Sequence, residues 1–128
     1  MRRMFDSSLL LVLGSFFAGS AVGAGAFGAH VLKNILDASM LTVFDTATRY
    51  QMYHALGLCI VAGAVDRYPE KGLEPAGWFF VVGILLFSGS LYGVSLTGMR
   101  RLGALTPIGG AAFLMGWILF GYRAWRRK

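Results

Sequence analysis

The chain has 128 residues, 56% of them apolar and 14% charged, with a mean hydropathy of +0.62; soluble domains run at about 45–50% apolar and about 25% charged, so the balance is that of a membrane protein. The length holds one small bundle and no separate catalytic domain, the apolar content excludes disorder, and the single cysteine, Cys59, excludes a disulfide scaffold. A formal charge of +6 would suit nucleic acid, but the basic residues flank long uncharged runs, so no nucleic-acid partner is expected.

Four stretches lack Asp, Glu, Lys and Arg: Ser7 to Leu32 (26 residues), Tyr50 to Val65 (16), Pro75 to Met99 (25) and Leu102 to Tyr122 (21). A bilayer core about 30 Å thick takes roughly 20 helical residues. The first, third and fourth runs meet that length. The first also resembles a secretory signal, with Arg2 and Arg3, an apolar stretch from Leu9 to Phe17 and the small triplet Ala24-Gly25-Ala26. Its apolar character continues past that triplet, so it is read as a retained helix. The second run is short. Asp45 and Arg49, four apart, can pair on one face, and Arg49 can reach the headgroups, which extends the span back toward Asp45. The expected fold is an all-α membrane protein, a single domain over 1–128. Four transmembrane helices fall near 8–29, 46–65, 76–97 and 103–123, or three with the second only partly inserted, and a short amphipathic helix over 31–44 separates the first two. That segment has apolar residues at Val31, Leu32, Ile35, Leu36, Met40, Val43 and Phe44, the spacing of one helical face. The next loop, Asp66 to Pro75, carries two prolines and mixed charge and reads as a surface turn.

With four spans, Arg2, Arg3, Arg67, Lys71, Arg123, Arg126, Arg127 and Lys128 lie on one side, and Lys33, Arg49, Arg100 and Arg101 on the other. Eight against four places both termini in the cytoplasm of a bacterial inner membrane. The tail from Arg123 to Lys128 is foremost a topology signal. It also suits anionic lipid, at roughly 1 kcal/mol per basic residue near the surface.

Helices in lipid approach where small residues allow it. The rows Ser15, Gly19, Gly23 and Ser20, Ala24, Gly28 in the first span, with Gly89 and Gly93 in the third, predict close packing, within the chain or with a second copy or another membrane protein. Pro107 fits the first turn of the fourth span. Gly23, Gly25 and Gly28 match no phosphate-loop spacing.

The chemistry-bearing residues are His30, Tyr50, Gln51, His54, Ser88, Ser90, Tyr92 and Thr106, all expected in the non-cytoplasmic half. Three readings stand beside one another. His54 is a hydrogen-bonded packing residue and His30 a helix end; or the group lines a pocket for a lipid, quinone, ion or proton; or His30 and His54 hold a metal with Cys59 or Met52. Metal ligation is the weakest, because Cys59 falls nearly opposite His54 on the helix and no third histidine exists. No cofactor is expected, and neither paired intramembrane carboxylates nor a nucleophile motif points to an enzyme. Alternating-access transport would require dimerisation and a charged midplane residue that the chain lacks.

Gly25-Ala26-Phe27-Gly28-Ala29-His30, Thr46-Ala47 with Tyr50-Gln51 and His54-Ala55-Leu56, Phe87-Ser88-Gly89-Ser90-Leu91-Tyr92, and Thr106-Pro107-Ile108-Gly109-Gly110 through Gly116-Trp117 resemble, in order and over nearly the whole chain, a family of small bacterial inner-membrane proteins. That family is known as domain of unknown function 423, with eukaryotic relatives called transmembrane protein 256. The resemblance implies a multi-pass plasma-membrane protein of about this length and brings no activity with it.

Overall fold

In the computed structural model residues 2–126 are described, with side chains from Met4 onward, so the basic groups of Arg2, Arg3, Arg127 and Lys128 lie outside the description. The described residues are helical, with no strand among them. Helix α1 runs Arg2–His30, α2 Ala38–Arg67, α3 Glu74–Gly83, α4 Gly89–Thr97 and α5 Thr106–Trp125. Three tracts are long and apolar enough to cross a membrane, Met4–Asn34, Glu74–Thr97 and Arg100–Trp125. Large apolar side chains such as Val12, Phe16, Val22, Leu85, Leu114 and Ile118 stand exposed on their outer faces. In water such a surface would aggregate; against hydrocarbon it costs nothing.

The sequence predicts one amphipathic helix over 31–44, and here the structure differs. Leu32–Asn34 forms a single 3-10 turn anchored by buried Leu32, while Val31 and Ile35 stay exposed. The chain then breaks at Asp37, whose carboxylate accepts the amide hydrogen of Met40 at 2.8 Å and so caps α2. Residues 38–44 are therefore the opening turns of α2, which runs unbroken for 30 residues. A free amide at the N-terminus of a helix needs an acceptor, and Asp37 supplies it in the middle of the apolar stripe.

α2 packs along α1, α3 and α4, while α5 lies against α3 and residues 84–88 and reaches α2 through side chains. Phe44, Ala47, Gln51, His54, Leu58, Val61 and Val65 are among its buried residues, and the core continues through Leu10 of α1, Phe80 of α3 and Phe113 of α5. α3 and α4 form one rod through a π-helical segment, Ile84–Ser88, where the amide of Gly89 donates to the carbonyl of Ile84, five residues back. The wider turn rotates Phe87 toward α5 and Ser88 toward α2, in keeping with the placement of π-bulges at side chains that must be re-aimed. Gly98, at φ +75°, ends α4 with its amide on the carbonyl of Val94. Pro107 lies in the first turn of α5, as its position in the sequence predicts.

Close packing draws on Gly28 and Gly93 of the expected rows, which meet Phe44 and Leu102, and on glycines outside them. A Cβ on Gly109 would fall 2.3 Å from the backbone nitrogen of Phe87, so α5 and the π segment meet backbone to backbone. Gly14 meets Ala55, Leu58 and Cys59 of α2, and Gly28 meets Phe44. Gly19, Gly23 and Gly89 have nothing within 4 Å. Of the two rows in α1, the one ending at Gly28 faces α2, and the row Ser15, Gly19, Gly23 faces outward. A backbone cannot yield as a side-chain tip can, so Gly109→Ala is expected to lower unfolding stability in detergent by about 1–3 kcal/mol. Gly19→Ala, with open space around it, should cost nothing or stabilise slightly; equal losses at the two positions in thermal unfolding would contradict this packing.

Candidate functional site: polar ties through the bundle

The polar residues of the spans are used pairwise between helices and do not gather in one pocket. Gln51, buried on α2, is the most connected. Its amide nitrogen donates to the carbonyl of Phe17 and to Ser20 Oγ, each at 2.8 Å, and its carbonyl oxygen accepts the Tyr92 hydroxyl at 2.6 Å. One side chain thus joins α1, α2 and α4. Tyr92 lies edge-on to Phe44, with ring centres 5.2 Å apart.

His54 is held from two sides. Its Nδ1–H donates to the carbonyl of Tyr50 at 2.8 Å, one turn back on α2, and its Nε2 accepts the indole N–H of Trp117 at 3.0 Å. A carbonyl on one nitrogen and a donor on the other select the neutral ring with its hydrogen on Nδ1, because a second N–H would point at the indole N–H. Phe113 stacks on the imidazole face at 3.5 Å with 7° between planes, and Phe80 approaches edge-on. Both nitrogens are occupied within the chain.

Two shorter ties complete the set. Ser88 Oγ donates to the carbonyl of Ala47 at 2.7 Å, fixing the π segment to α2. Ser90 donates to the carbonyl of Phe87 at 3.0 Å, which leaves the Thr106 hydroxyl to donate to Ser90 Oγ at 2.6 Å and joins α4 to α5. Each tie answers one requirement: a hydroxyl, amide or imidazole in hydrocarbon costs several kcal/mol without a partner.

Tyr50, Gln51 and His54 therefore do not form one network. Gln51 faces α1 and α4, His54 faces α5, and Tyr50 contributes only its carbonyl, its ring lying outward against Phe87 and Tyr53. His30 ends α1 and is exposed. Gly28 of α1 packs at the level of Phe44 and Phe17 at the level of Gln51, so His30 sits beyond Phe44, about three helical turns from His54. Cys59 packs against Gly14 on the opposite side of α2 from Trp117. Among the described residues no group of three or more His, Cys, Asp and Glu could hold a metal ion.

Sequence reasoning overlooks Trp117, Ser20 and the carbonyls of Phe17 and Ala47 as the partners. For Trp117 a signal exists: an indole N–H within an apolar span must find an acceptor. Two grooves flank the ties. One of about 430 Å³ lies between α1 and α4 over Gln51 and Tyr92; the other, of about 750 Å³, lies between α2 and α5 beside Tyr50, His54 and Trp117.

An all-helical bundle tied by its own polar side chains and clad in exposed apolar residues defines a multi-pass membrane protein. Comparison with known proteins agrees. The model of the family described as Protein of unknown function (DUF423) matches residues 24–110, and the chain belongs to that family. It is 47% identical over 111 residues to a UPF0382 membrane protein of Staphylococcus saprophyticus, covering 87% of this chain and 92% of the relative. It is 47% identical over 112 residues to the UPF0382 membrane protein YwdK of Bacillus subtilis, covering 87% and 91%. A UPF0382 membrane protein of Staphylococcus epidermidis is 45% identical over 111 residues. No solved structure matches. The family match spans Gln51, His54, Ser88, Ser90, Tyr92 and Thr106 and stops before Trp117.

Removing one partner of a buried tie strands the other. Trp117→Phe is expected to destabilise the detergent-solubilised bundle by about 1–3 kcal/mol. A double-mutant cycle of Gln51→Leu with Tyr92→Phe should show coupling of about 0.6 kcal/mol and at most about 1.7. Strict additivity in the cycle would mean that the Gln51–Tyr92 bond carries no stability.

Proposed function

We propose that the protein is a four-span bundle of the bacterial inner membrane with both termini in the cytoplasm, and that it serves as a non-catalytic accessory subunit. It would dock on another membrane protein, or on a second copy of itself, through the outward small-residue face of α1. Support for a fourth span comes from α2, which at 30 residues is about 45 Å long and lies alongside the other helices. Its polar side chains Gln51 and His54 are turned to protein neighbours and not to lipid. Its pair Asp45–Arg49, at 2.5 Å, lies near the end that carries the Asp37 cap. The orientation rests on the eight-to-four distribution of basic residues.

The single observation that carries the accessory role is the bareness of one α1 face. Gly19 and Gly23 touch nothing within 4 Å, while the glycines facing inward meet α2 closely. Gly in a helix interior costs roughly 1 kcal/mol relative to Ala, so glycines on an outer face are explained by a close-approaching helix from outside. Catalysis finds little to work with, since His54, Gln51, Ser88, Ser90 and Thr106 are spent on tying the bundle.

A photocrosslinking residue at Gly19, in native membranes, should give a discrete protein adduct whose mass separates a second copy from another polypeptide. The same residue at Leu114, on the exposed face of α5, should give none. Lipid adducts alone at Gly19, or identical adducts from the two faces, would refute the docking role. In a Cys59→Ala background, Lys33→Cys should react with an impermeant maleimide from outside and Glu70→Cys only after permeabilisation; the reverse pattern would invert the orientation.

A further inference from the structure

We propose that the α2–α3 loop and the end of α5 together form a binding site for the headgroup phosphate of an anionic glycerophospholipid. The inference rests on the chain spanning the membrane and is independent of any partner at α1. In the sequence Lys71 lies more than fifty residues from Arg123 and Arg126. In the fold they are locked together, each gripping the other segment's backbone. Arg123 Nη1 donates to the carbonyl of Gly72 at 2.6 Å, Lys71 Nζ donates to the carbonyl of Arg126, and Arg126 Nη2 donates to the carbonyl of Lys71 at 3.4 Å. Gly72, at φ +64°, makes the turn that presents this loop to α5.

Three cations are thus gathered in one place, all half-buried. Carbonyl dipoles satisfy one hydrogen of each and cancel none of the charge. Among the described residues the ion pair Asp45–Arg49 lies toward the other end of α2, and Glu70 of this loop is exposed. Arg126 Nε is buried with no hydrogen-bond partner. Like charges brought together away from bulk water repel more strongly than in solution, and an unpaired buried donor adds to the cost. An anion with several acceptor oxygens relieves both, and guanidinium groups match a phosphate's paired oxygens.

The location selects the source. The cluster sits where α2 ends at Arg67, α3 begins at Glu74 and α5 ends at Trp125, at one mouth of the bundle beside the apolar outer faces. At that depth the anion always at hand is a lipid phosphate. Arg67, its guanidinium 5.2 Å from the ring of Tyr68, ends α2 just before this loop.

The test uses the full chain in detergent, with phosphatidylglycerol, phosphatidylcholine of the same acyl chains, and inorganic phosphate as probes. Phosphatidylglycerol should bind with at least about a tenfold preference over phosphatidylcholine by native mass spectrometry, and should raise the unfolding temperature where phosphatidylcholine does not. The combined variant Lys71→Gln, Arg123→Gln, Arg126→Gln should lose that preference, whereas Arg100→Gln with Arg101→Gln, at the opposite mouth, should keep it. On the unaltered protein, which does not depend on the variant folding, raising salt from about 0.05 to about 0.5 M should erase the preference. Equal binding of the two lipids, a salt-insensitive preference, loss of preference in both variants, or retention in the triple variant would each overturn the proposal. Full stabilisation by inorganic phosphate alone would overturn the lipid assignment. Uniform binding of both lipids would still leave the spanning bundle standing, so the two readings fail separately.

Discussion

Hydrocarbon offers no hydrogen bonds, and that constraint organises this molecule. Inside a bilayer each amide, hydroxyl or imidazole has to meet another protein atom, and what a side chain's own helix cannot supply must come from a neighbouring one. Gln51 reaches two helices at once, His54 reaches α5, and Ser88 and Ser90 fasten the π segment and α4. The bundle is therefore specified by a few directional ties laid over apolar packing that lipid could otherwise match.

The same constraint accounts for two departures from regularity. The π segment at Ile84–Ser88 adds the rotation that brings Ser88 onto the carbonyl of Ala47 and at the same time lets Phe87 lie over Gly109. At His54 the ring is pinned by opposed partners and covered on one face by Phe113, so it behaves as a structural element of fixed tautomer. What remains available for recognition lies at the periphery: the bare face of α1, the two lateral grooves, and the basic mouth formed by Lys71, Arg123 and Arg126.

Much of the architecture was legible beforehand. The uncharged runs mark three apolar helices, and Pro107 marks the start of α5. The separate amphipathic helix was not legible, because periodicity at 31–44 reports apolar spacing and not the point where Asp37 captures an amide. The glycine rows were legible as features but not as directions. Spacing four marks a face, yet it does not say whether that face meets α2, as Gly28 does, or the outside, as Gly19 does.

The sequence by itself determined that this chain belongs in a membrane, which residues are too polar for lipid, and roughly where each helix runs, since these follow from composition and local spacing. Only the tertiary structure decided who satisfies whom: that Gln51 and His54, three residues apart, serve different neighbours, that Trp117 is the acceptor-seeking partner, and that Lys71 closes on Arg126. Such pairings join residues 16 to 63 positions apart. They depend on how rods pack side by side, which no local pattern in the chain encodes.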